Sequence, residues 1–359
     1  MKKRIMLLLK LVILLALFFG LYVAATILYA QYTDYKPDPE EYAEIFQRSS
    51  QQINKNEFIF YDWNIGYCGL GKESDFFYDG GKMVRPKRAL SAKNYKGFLM
   101  TLEKWKGDAD FINIQEIDRD SRRSYGVDQM EGAKMVLDGY NISFGKNYDV
   151  RFVPMPFTNP MGGVFGGICT FSRYAFSGKP LKISFPSNFQ WPKGLFFLDR
   201  CFLINRFSLN NGKQLTVINT HNSAYDGGEL KKQEMEYFHK YIVDEYDKGN
   251  YVIVGGDWNQ IPPGYTAKDP KSKYEEMPIP EGYLPDGWTW AYDPSTPTNR
   301  KVDAPYIAGK TYTTIIDFYL LSPNVELVEV KGIDLGFEYS DHQPVRMVCR
   351  LKEQAPVKK

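Results

Sequence analysis

The sequence predicts an α/β or α+β domain with mixed β-sheets, preceded by an apolar N-terminal helix. Short apolar runs of strand length recur between residues 57 and 351, several of them are separated by stretches with helical periodicity, and the two kinds do not alternate strictly. Of the 359 residues 43% are hydrophobic and 25% are charged. That composition is typical of a globular protein and not of a disordered chain.

The first element is an apolar segment that follows a basic cluster. Basic residues at positions 2–4 precede a run from Ile5 to Ala30 that only Lys10 interrupts. About 20 apolar residues span a bilayer as a helix, whereas the apolar part of a signal peptide has about 7–15. We therefore predict a membrane anchor over residues 1–31, with cleavage after Ala25 as the alternative. Either way the rest of the chain is exported, because the basic end stays in the cytoplasm.

The polar segment 32–56 is predicted to be a stalk or linker. Pro37 and Pro39 come first, and a helix-like pattern then runs from Glu40 to Gln52. The main domain is predicted over residues 57–351, followed by a tail over 352–359. Two long stretches, 185–199 and 262–310, have no clear periodicity and are predicted to be loops of this one domain.

The domain is predicted to contain eight strands and three helices. The strands are rich in Ile, Val, Phe and Tyr and are bounded by turn residues. The predicted strands are Phe58–Trp63, Phe111–Gln115, Gly167–Phe171, Phe202–Phe207, Leu215–Thr220, Tyr251–Val254, Ile315–Leu321 and Val345–Leu351, and the predicted helices are Lys93–Lys106, Gln129–Asp138 and Glu229–Lys248.

Charge and cysteine usage narrow the classes of function. The formal net charge is +2, and four basic residues with no acid lie in the N-terminal segment, so residues 32–359 are near neutral or slightly acidic. Such a domain lacks the overall positive charge that drives non-specific binding to nucleic acid.

The four cysteines are far apart, with no CxxC pair, which makes a zinc cluster improbable. Export permits disulfides, and buried free thiols are equally compatible with the apolar surroundings.

Several predicted strands end in polar side chains that can bind a metal or a phosphate. These side chains are Asn64, Glu116, His221, Asp257, Asn259, Asp341 and His342. If the strands lie side by side, their ends form one rim, which is where open α/β sheets place ligands. Asp257 and Asn259, two positions apart, would point the same way from an extended chain.

The residue types suit metal-assisted phosphoryl chemistry. Hard cations such as Mg²⁺ prefer oxygen ligands, and Glu116 is the best single candidate. A carboxylate such as Asp257 can orient or deprotonate water, and Asn259, His221 and His342 can donate to phosphate oxygens. Asp317 is suited to hold His342 in one tautomer and to stabilise its charged form.

Each of these residues also has a structural explanation when taken alone. Asn64 and the pair Asp257 and Asn259 are typical of turns, and Glu116 begins a charged run. A lone histidine more often satisfies a core or cap. The chain has three histidines, and His239, inside a helical pattern, is assigned to structure. Two histidines at strand ends beside other polar groups favour a site.

Six motifs in order resemble the endonuclease/exonuclease/phosphatase superfamily, which includes deoxyribonucleases, apurinic/apyrimidinic endonucleases, neutral sphingomyelinases and inositol polyphosphate 5-phosphatases. The motifs are YDWNIGY at 61–67, NIQEIDRDSRRS at 113–124, NTHNSA at 219–224, VGGDWNQ at 254–260, IIDFYLL at 315–321 and YSDHQPV at 339–345. The resemblance spans residues 57–351. It implies a four-layer sandwich of two mixed sheets packed face to face, with helices outside.

The resemblance also implies roles for the residues that match its motifs. Asn64 and Glu116 would lie at a divalent metal, Mg²⁺ or alternatively Mn²⁺ or Ca²⁺, and Asp341 would support the metal side. Asp257 would orient or activate water. Asn259, His221 and His342 would hold the scissile phosphate, and Asp317 would pair with His342. The Trp-Cys-Asp-Arg signature of the 5-phosphatase branch is missing, which weakens inositol phosphates as substrates.

The expected function is metal-dependent hydrolysis of a phosphodiester or phosphomonoester by in-line attack of water, by a monomer whose domain lies outside the cytoplasm. A lipid-borne substrate such as sphingomyelin is preferred, because the protein is anchored and because Trp191, Leu195, Phe196 and Phe197 could enter the membrane interface. Core packing of those four side chains is the alternative. An exported metal-dependent nuclease and a non-catalytic binding module that retains the fold are the other hypotheses.

Overall fold

The computed structural model describes residues 2–186, 189–224, 229–266 and 278–353. Its helices are α1 (Lys2–Thr33), α2 (Arg88–Trp105), α3 (Gln129–Val136) and α4 (Glu229–Asp247). The strands are β1 (Glu40–Tyr42), β2 (Glu44–Phe46), β3 (Glu57–Asn64), β4 (Phe111–Asp118), β5 (Asn141–Val153), β6 (Gly162–Ser172), β7 (Leu181–Ser184), β8 (Cys201–Ser208), β9 (Gln214–His221), β10 (Tyr251–Asp257), β11 (Thr289–Ala291), β12 (Asn299–Arg300), β13 (Thr313–Thr314), β14 (Asp317–Leu321), β15 (Val325–Gly332) and β16 (Val345–Leu351). Parts of both predicted loops and most of the predicted tail lie outside the described residues.

Two seven-stranded mixed sheets form the body of the domain. The first sheet has the order β1-β7-β8-β9-β10-β14-β11, and the second has the order β15-β16-β3-β4-β6-β5-β2. Each sheet contains a parallel pair at its centre, β9 with β10 and β3 with β4. The carboxyl ends of paired parallel strands meet at one edge of a sheet, so each sheet offers two strand ends for a site.

The sheets pack face to face, with helices on both outer surfaces. Phe60 and Phe111 of the second sheet stack at 4.7 Å and share a core with Val217 and Tyr319 of the first. Phe238 of α4 packs on the outer side of the first sheet, and the outer side of the second is covered by α2 and α3. The four-layer sandwich is thus confirmed.

All eight predicted strands and all three predicted helices of the main domain form, with boundaries a few residues different. The helix expected over Glu40–Gln52 is wrong. That segment instead forms β1, which pairs with β7, and β2, which pairs with β5. Without β1 and β2, the backbone groups on the outer edges of β7 and β5 would have no strand to pair with. Hydrogen bonding to these edges outweighs the weak helix propensity of the segment.

The N-terminal helix α1 is long and apolar enough to cross a membrane. Its most apolar window has a mean hydropathy of 2.7 and no buried residue. A signal sequence would have the same properties. The apolar N-terminal element predicted from the sequence is therefore present as a helix.

The four cysteines are free and buried. Of the two alternatives that the sequence left open, the structure contains the buried thiols. Burial raises the pKa of Cys201 to about 12, so its reactive thiolate form is scarce at neutral pH.

Candidate active site

The predicted site residues meet at the edge where the parallel strands of both sheets end. In the first sheet, Asp257 of β10 is paired with His221 of β9 on one side and with Asp317 of β14 on the other. In the second sheet, Asn64 of β3 is paired with Gln115 of β4, one residue before Glu116. Because the sheets pack face to face, the two sets of strand ends lie against each other.

Asp257 connects the two sets. Its Oδ2 accepts a hydrogen bond of 2.9 Å from the Asn64 side-chain amide, and its Oδ1 accepts one of 2.9 Å from the backbone N–H of Asn259. The Nε2 atoms of His221 and His342 lie 3.5 and 3.9 Å from Oδ2. The carboxylate is almost fully buried, so these contacts hold it in one orientation.

Irregular backbone positions two of the side chains. Glu116 has a positive φ of 53° and lies where the pairing of β4 with β6 shifts between Ile114 and Ile117. A bulge of this kind re-aims a side chain, and Glu116 lines the cavity. Asn259, with φ of 50°, forms the turn after β10, and its side-chain amide donates 2.9 Å to the carbonyl oxygen of Asn222. Asparagine tolerates this left-handed conformation better than most residues.

Asp317 and His342 form a buried pair. Nδ1 of His342 lies 2.8 and 3.0 Å from the two carboxylate oxygens of Asp317. Burial disfavours the charged imidazole, but the carboxylates of Asp317 and Asp257 outweigh it and raise the pKa of His342 well above its usual value. Burial also raises the pKa of Asp317, to about 6, with Asp257 adding to the shift and His342 opposing it.

His221 is in the opposite electrostatic state. Burial, together with the positive charges of Arg200 and His342, lowers the pKa of His221 well below its usual value. The Arg200 guanidinium donates a short hydrogen bond to Nε2 of His221, which leaves this nitrogen as an acceptor. The site therefore has one charged and one neutral imidazole, the separation of acid and base character that active sites achieve through their surroundings.

A cavity of about 510 Å³ lies over these strand ends. The predicted residues Glu116, His221, Asp257, Asn259, Asp341 and His342 line it. Asn64 and Asp317 lie behind its wall and contact Asp257 and His342. The structure thus brings together all eight predicted residues, six on the surface of the cavity and two that support them.

The family assignment follows from the sequence match. The model of the Endonuclease/Exonuclease/phosphatase family matches residues 63–342, which is most of the chain. The chain belongs to this family. Members of the family are phosphate-ester hydrolases that depend on a divalent metal, so the predicted enzyme class is confirmed.

Solved structures with the same fold agree with this assignment. They include an endonuclease/exonuclease/phosphatase from Beutenbergia cavernae (18% identity, 83% of this chain and 72% of that chain covered, TM-score 0.56). ANGEL2, a 2',3'-cyclic phosphatase, in complex with adenosine-2',3'-vanadate is also similar (15% identity, 86% of this chain and 99% of that chain covered, TM-score 0.54). D. rerio TDP2 complexed with single strand DNA product is similar as well (14% identity, 82% of this chain and 99% of that chain covered, TM-score 0.52). At these identities the likeness shows the fold alone. No curated protein matches the sequence.

The donor set fits the divalent metal on which this family depends. Glu116 and Asp341 offer carboxylate oxygens on one wall of the cavity. Burial, with a contribution from the Glu116 carboxylate, raises the pKa of Asp341 to about 7, and a cation beside it would relieve that shift. A Cβ atom on Gly66, which has φ of 48°, would lie 2.7 Å from Oδ1 of Asp341, so the glycine lets this carboxylate approach the backbone.

Other groups of the family site fit a metal less directly. Donor atoms of Asp257, Asp317 and His342 lie within 4.8 Å of one another, but both Asp317 oxygens already face the imidazole. Asn64 turns its NH₂ towards Asp257 and Glu116, while its oxygen accepts 2.9 Å from the backbone of Gly66. Its amide would have to turn over to offer oxygen to a cation.

Sequence reasoning missed two residues of the site. Arg200 contacts His221, and the side-chain amide of Asn299 lies 3.0 Å from Nε2 of His342. Arg200 directly follows the predicted loop 185–199, and Asn299 lies within the predicted loop 262–310, where no periodicity marks a side chain's direction. The sequence WPKGLFFLDR before β8, with a single arginine at its end, was the only available signal for Arg200.

Proposed function

We propose that the chain is a membrane-anchored phosphodiesterase that uses a divalent metal and attack of water on a lipid headgroup, with its domain outside the cytoplasm. The observation that carries the chemistry is the position of Asp257, a buried carboxylate fixed by Asn64 and Asn259 between two imidazoles of opposite electrostatic state. Phosphomonoester hydrolysis is the alternative at the same site. The domain is proposed to span residues 57–351, with residues 32–56 as the connection to the anchor.

Each residue has a distinct role in this proposal. Glu116 and Asp341 would hold Mg²⁺, with Mn²⁺ or Ca²⁺ as alternatives, and Asn64 would join them once its amide turns over to present the oxygen. The metal, when bound, neutralises charge on the phosphate and stabilises charge on the departing oxygen. Asp257 accepts a proton from the attacking water, whose oxygen forms the new bond to phosphorus as the bond to the leaving group breaks on the other side.

The remaining side chains hold the phosphate. Charged His342, kept in place by Asp317, donates through Nε2 to a non-bridging oxygen, and Asn259 offers its amide. His221 was predicted to donate as well. Its Nε2 accepts from Arg200, so we assign the donor role at this position to the Arg200 guanidinium, which His221 holds in place. A charged guanidinium binds phosphate oxygens more strongly than a neutral imidazole.

The nuclease hypothesis is second to this one. Five basic residues line the cavity. Arg200 is assigned to the scissile phosphate and Lys231 lies on α4, whereas Arg123, Arg300 and Lys301 are engaged with other groups. Arg123 pairs with Asp118 at 2.9 Å, Lys301 pairs with Asp303, and the Arg300 guanidinium donates to backbone carbonyls. Charges used in this way give a polyanion little additional attraction. The non-catalytic module loses support because the acid, base and metal candidates are all present.

The test uses the purified full-length chain in detergent. We expect hydrolysis of bis(p-nitrophenyl) phosphate and of sphingomyelin, loss of both with EDTA, and recovery with added Mg²⁺. Asp257→Ala should abolish activity, while Asp138→Ala, a change at an exposed carboxylate, should not. Activity that survives chelation would refute the metal requirement, and cleavage of DNA alone would favour the nuclease.

A further inference from the structure

We infer that two loops beside the active-site cavity form a surface that enters the outer membrane interface, so that the cavity opens next to the lipid headgroups. We call this surface the apolar lip and define it by Met155, Phe157 and Trp191. Their exposed fractions are 52%, 53% and 66%. The inference rests on the proposed membrane anchoring. The partner that we assign to the apolar lip is a phospholipid bilayer.

The helix α1 itself touches the lip. The ring of Phe157 makes edge contacts with Phe19 and with Tyr22 of α1, each with ring centroids 5.4 Å apart. The same helix also packs against β5 and against the short turn Lys193–Phe196, which follows Trp191. Both loops of the lip therefore lie beside the segment that is proposed to cross the membrane.

The domain meets α1 at the level expected for the outer membrane boundary. From Ile5 to Leu21 the large apolar side chains of the helix are at least half exposed, whereas Ala30 is buried against the domain. At about 1.5 Å per residue this stretch is roughly 26 Å long, close to the ~30 Å hydrocarbon core of a bilayer. Lys10 lies near its cytoplasmic end, where a lysine can extend its amine to the headgroups. The outer boundary then falls near Tyr22, at the height of Phe157.

The domain is fixed relative to the helix. Tyr35, two residues after α1, donates 2.8 Å to Glu41 of β1 and accepts 2.9 Å from Lys182 of β7. Nζ of Lys182 also donates 2.8 Å to Glu41, and Nζ of Lys146 lies 3.7 Å from the Tyr35 ring centroid. With the joint bonded into the first sheet in this way, the lip cannot turn away from the bilayer freely.

The composition of the lip fits lipid more closely than a protein partner with charged contacts. The stretches 154–161 and 189–198 contain no acidic residue, and Lys193 is their only charge. Apolar and aromatic side chains beside a cation are typical of surfaces that bind the membrane interface. The same loops continue into the site, because Met161, Phe197 and Leu198 line the cavity. A substrate held in the outer leaflet would thus meet the cavity mouth directly.

The test measures the depth of the lip in the full-length chain, reconstituted in phosphatidylcholine nanodiscs. Phe157→Cys is labelled with an environment-sensitive dye, which is selective because the four native cysteines are buried. The matched control is Val328→Cys, also an exposed apolar position, on the second sheet's opposite edge strand β15. Trp191→Cys provides a second label on the lip if the first variant does not fold.

We expect the dye at 157 or 191 to be quenched by lipids that carry a nitroxide near the headgroup and to be protected from aqueous iodide. The dye at 328 should behave in the reverse way. Iodide quenching at the lip equal to that at 328 would overturn the inference, as would failure of the chain to enter nanodiscs. Protection from both quenchers would indicate a second protein copy on the lip and would also overturn it.

This readout is independent of catalysis. Asp257→Ala should give the same quenching pattern as the parent, because that change lies inside the cavity. If the lip is deep but bis(p-nitrophenyl) phosphate is not hydrolysed, the proposed function fails and the docking surface stands. If bis(p-nitrophenyl) phosphate is hydrolysed but the lip is exposed to water, the proposed catalytic chemistry stands and the docking surface fails.

Discussion

At the residue scale, the neighbours of each imidazole decide its charge. His342 and His221 lie 3.9 and 3.5 Å from the same oxygen of Asp257. His342 faces the carboxylate of Asp317 on its other side, whereas His221 faces the guanidinium of Arg200. A carboxylate stabilises the imidazolium and a guanidinium destabilises it. The same side chain therefore acquires two different protonation states within one cavity.

Asp317→Asn tests this pair. The amide cannot hold the charged imidazole, so the pKa of His342, raised in the parent protein, should fall. His342 is needed in its protonated form, and the basic limb of the pH profile of kcat/KM should move to lower pH. We also expect a loss of kcat of about 100-fold, the upper range for groups that orient a catalytic residue. The substrate is bis(p-nitrophenyl) phosphate, with exposed Asp286→Asn as the control. An unshifted basic limb would contradict the proposed charge of His342.

Glu116→Gln tests the metal site. The change keeps the size of the side chain but removes one negative ligand from the wall that also contains Asp341. We expect Mg²⁺ affinity, measured by isothermal titration calorimetry, to fall at least about tenfold, with circular dichroism unchanged. Glu326→Gln, on an exposed strand position, should bind metal as the parent does. If the Glu116 variant binds Mg²⁺ as tightly as the parent, Glu116 is not a ligand and the metal binds elsewhere in the cavity.

At the element scale, a buried carboxylate of α4 forms hydrogen bonds to two strands of the first sheet. Glu245 accepts bonds of 2.9 and 3.1 Å from Arg206 of β8 and one of 3.1 Å from Thr216 of β9. Burial opposes the charge of Glu245, but Arg206 and Lys248 outweigh it and lower the pKa to about 2. The ionised form thus stabilises the contact of the helix with β8 and with β9, the strand that ends at His221.

The Glu245 contact predicts a dependence of stability on pH. Because the pKa of Glu245 in the folded protein is depressed below its usual value of 4.5, the stabilisation is fully present above about pH 4.5 and is lost as pH falls towards 2. Glu245→Gln should lower the free energy of unfolding by about 3 kcal/mol at pH 7, and the difference from the parent should shrink below pH 4.5. Chemical denaturation in detergent at several pH values would measure it. A constant difference down to pH 2.5 would mean that the ion pair contributes little.

The segment between the anchor and the domain shows how an element depends on its partners. Residues 40–46 carry a pattern compatible with a helix, yet they form two strands of three residues each, one on each sheet. Strands this short are stable only because the sheet edges already exist. Local sequence cannot record that requirement, since the partners β7 and β5 lie more than 90 residues away.

At the scale of the whole molecule, the open question is whether α1 is retained. We predict that it is, because its apolar length exceeds that of a signal peptide and because its last turns pack against the domain, with Ala30 buried. Protein purified from membranes should have the mass of the full chain and resist extraction by alkaline carbonate. A mass that begins at residue 26, with activity in the soluble fraction, would show cleavage instead. The apolar lip would then have lost its neighbouring helix.

Local sequence was enough to predict eight of the sixteen strands in the described part of the chain, the three helices outside the sheets and the polar residues at the strand ends. Strand and helix periodicities are local, and ordered motifs such as GDWNQ and SDHQP carry the family's chemistry within a few residues. Which side chains contact each other depends on the tertiary structure and could not be read from local sequence. Arg200 reaches His221 because Cys201 pairs with His221 across β8 and β9, and Phe157 reaches α1 across more than 130 residues of chain. Long-range neighbours of this kind set the charge states of the two imidazoles, the pairing of the edge strands and the position of the apolar lip. Local periodicity cannot encode them.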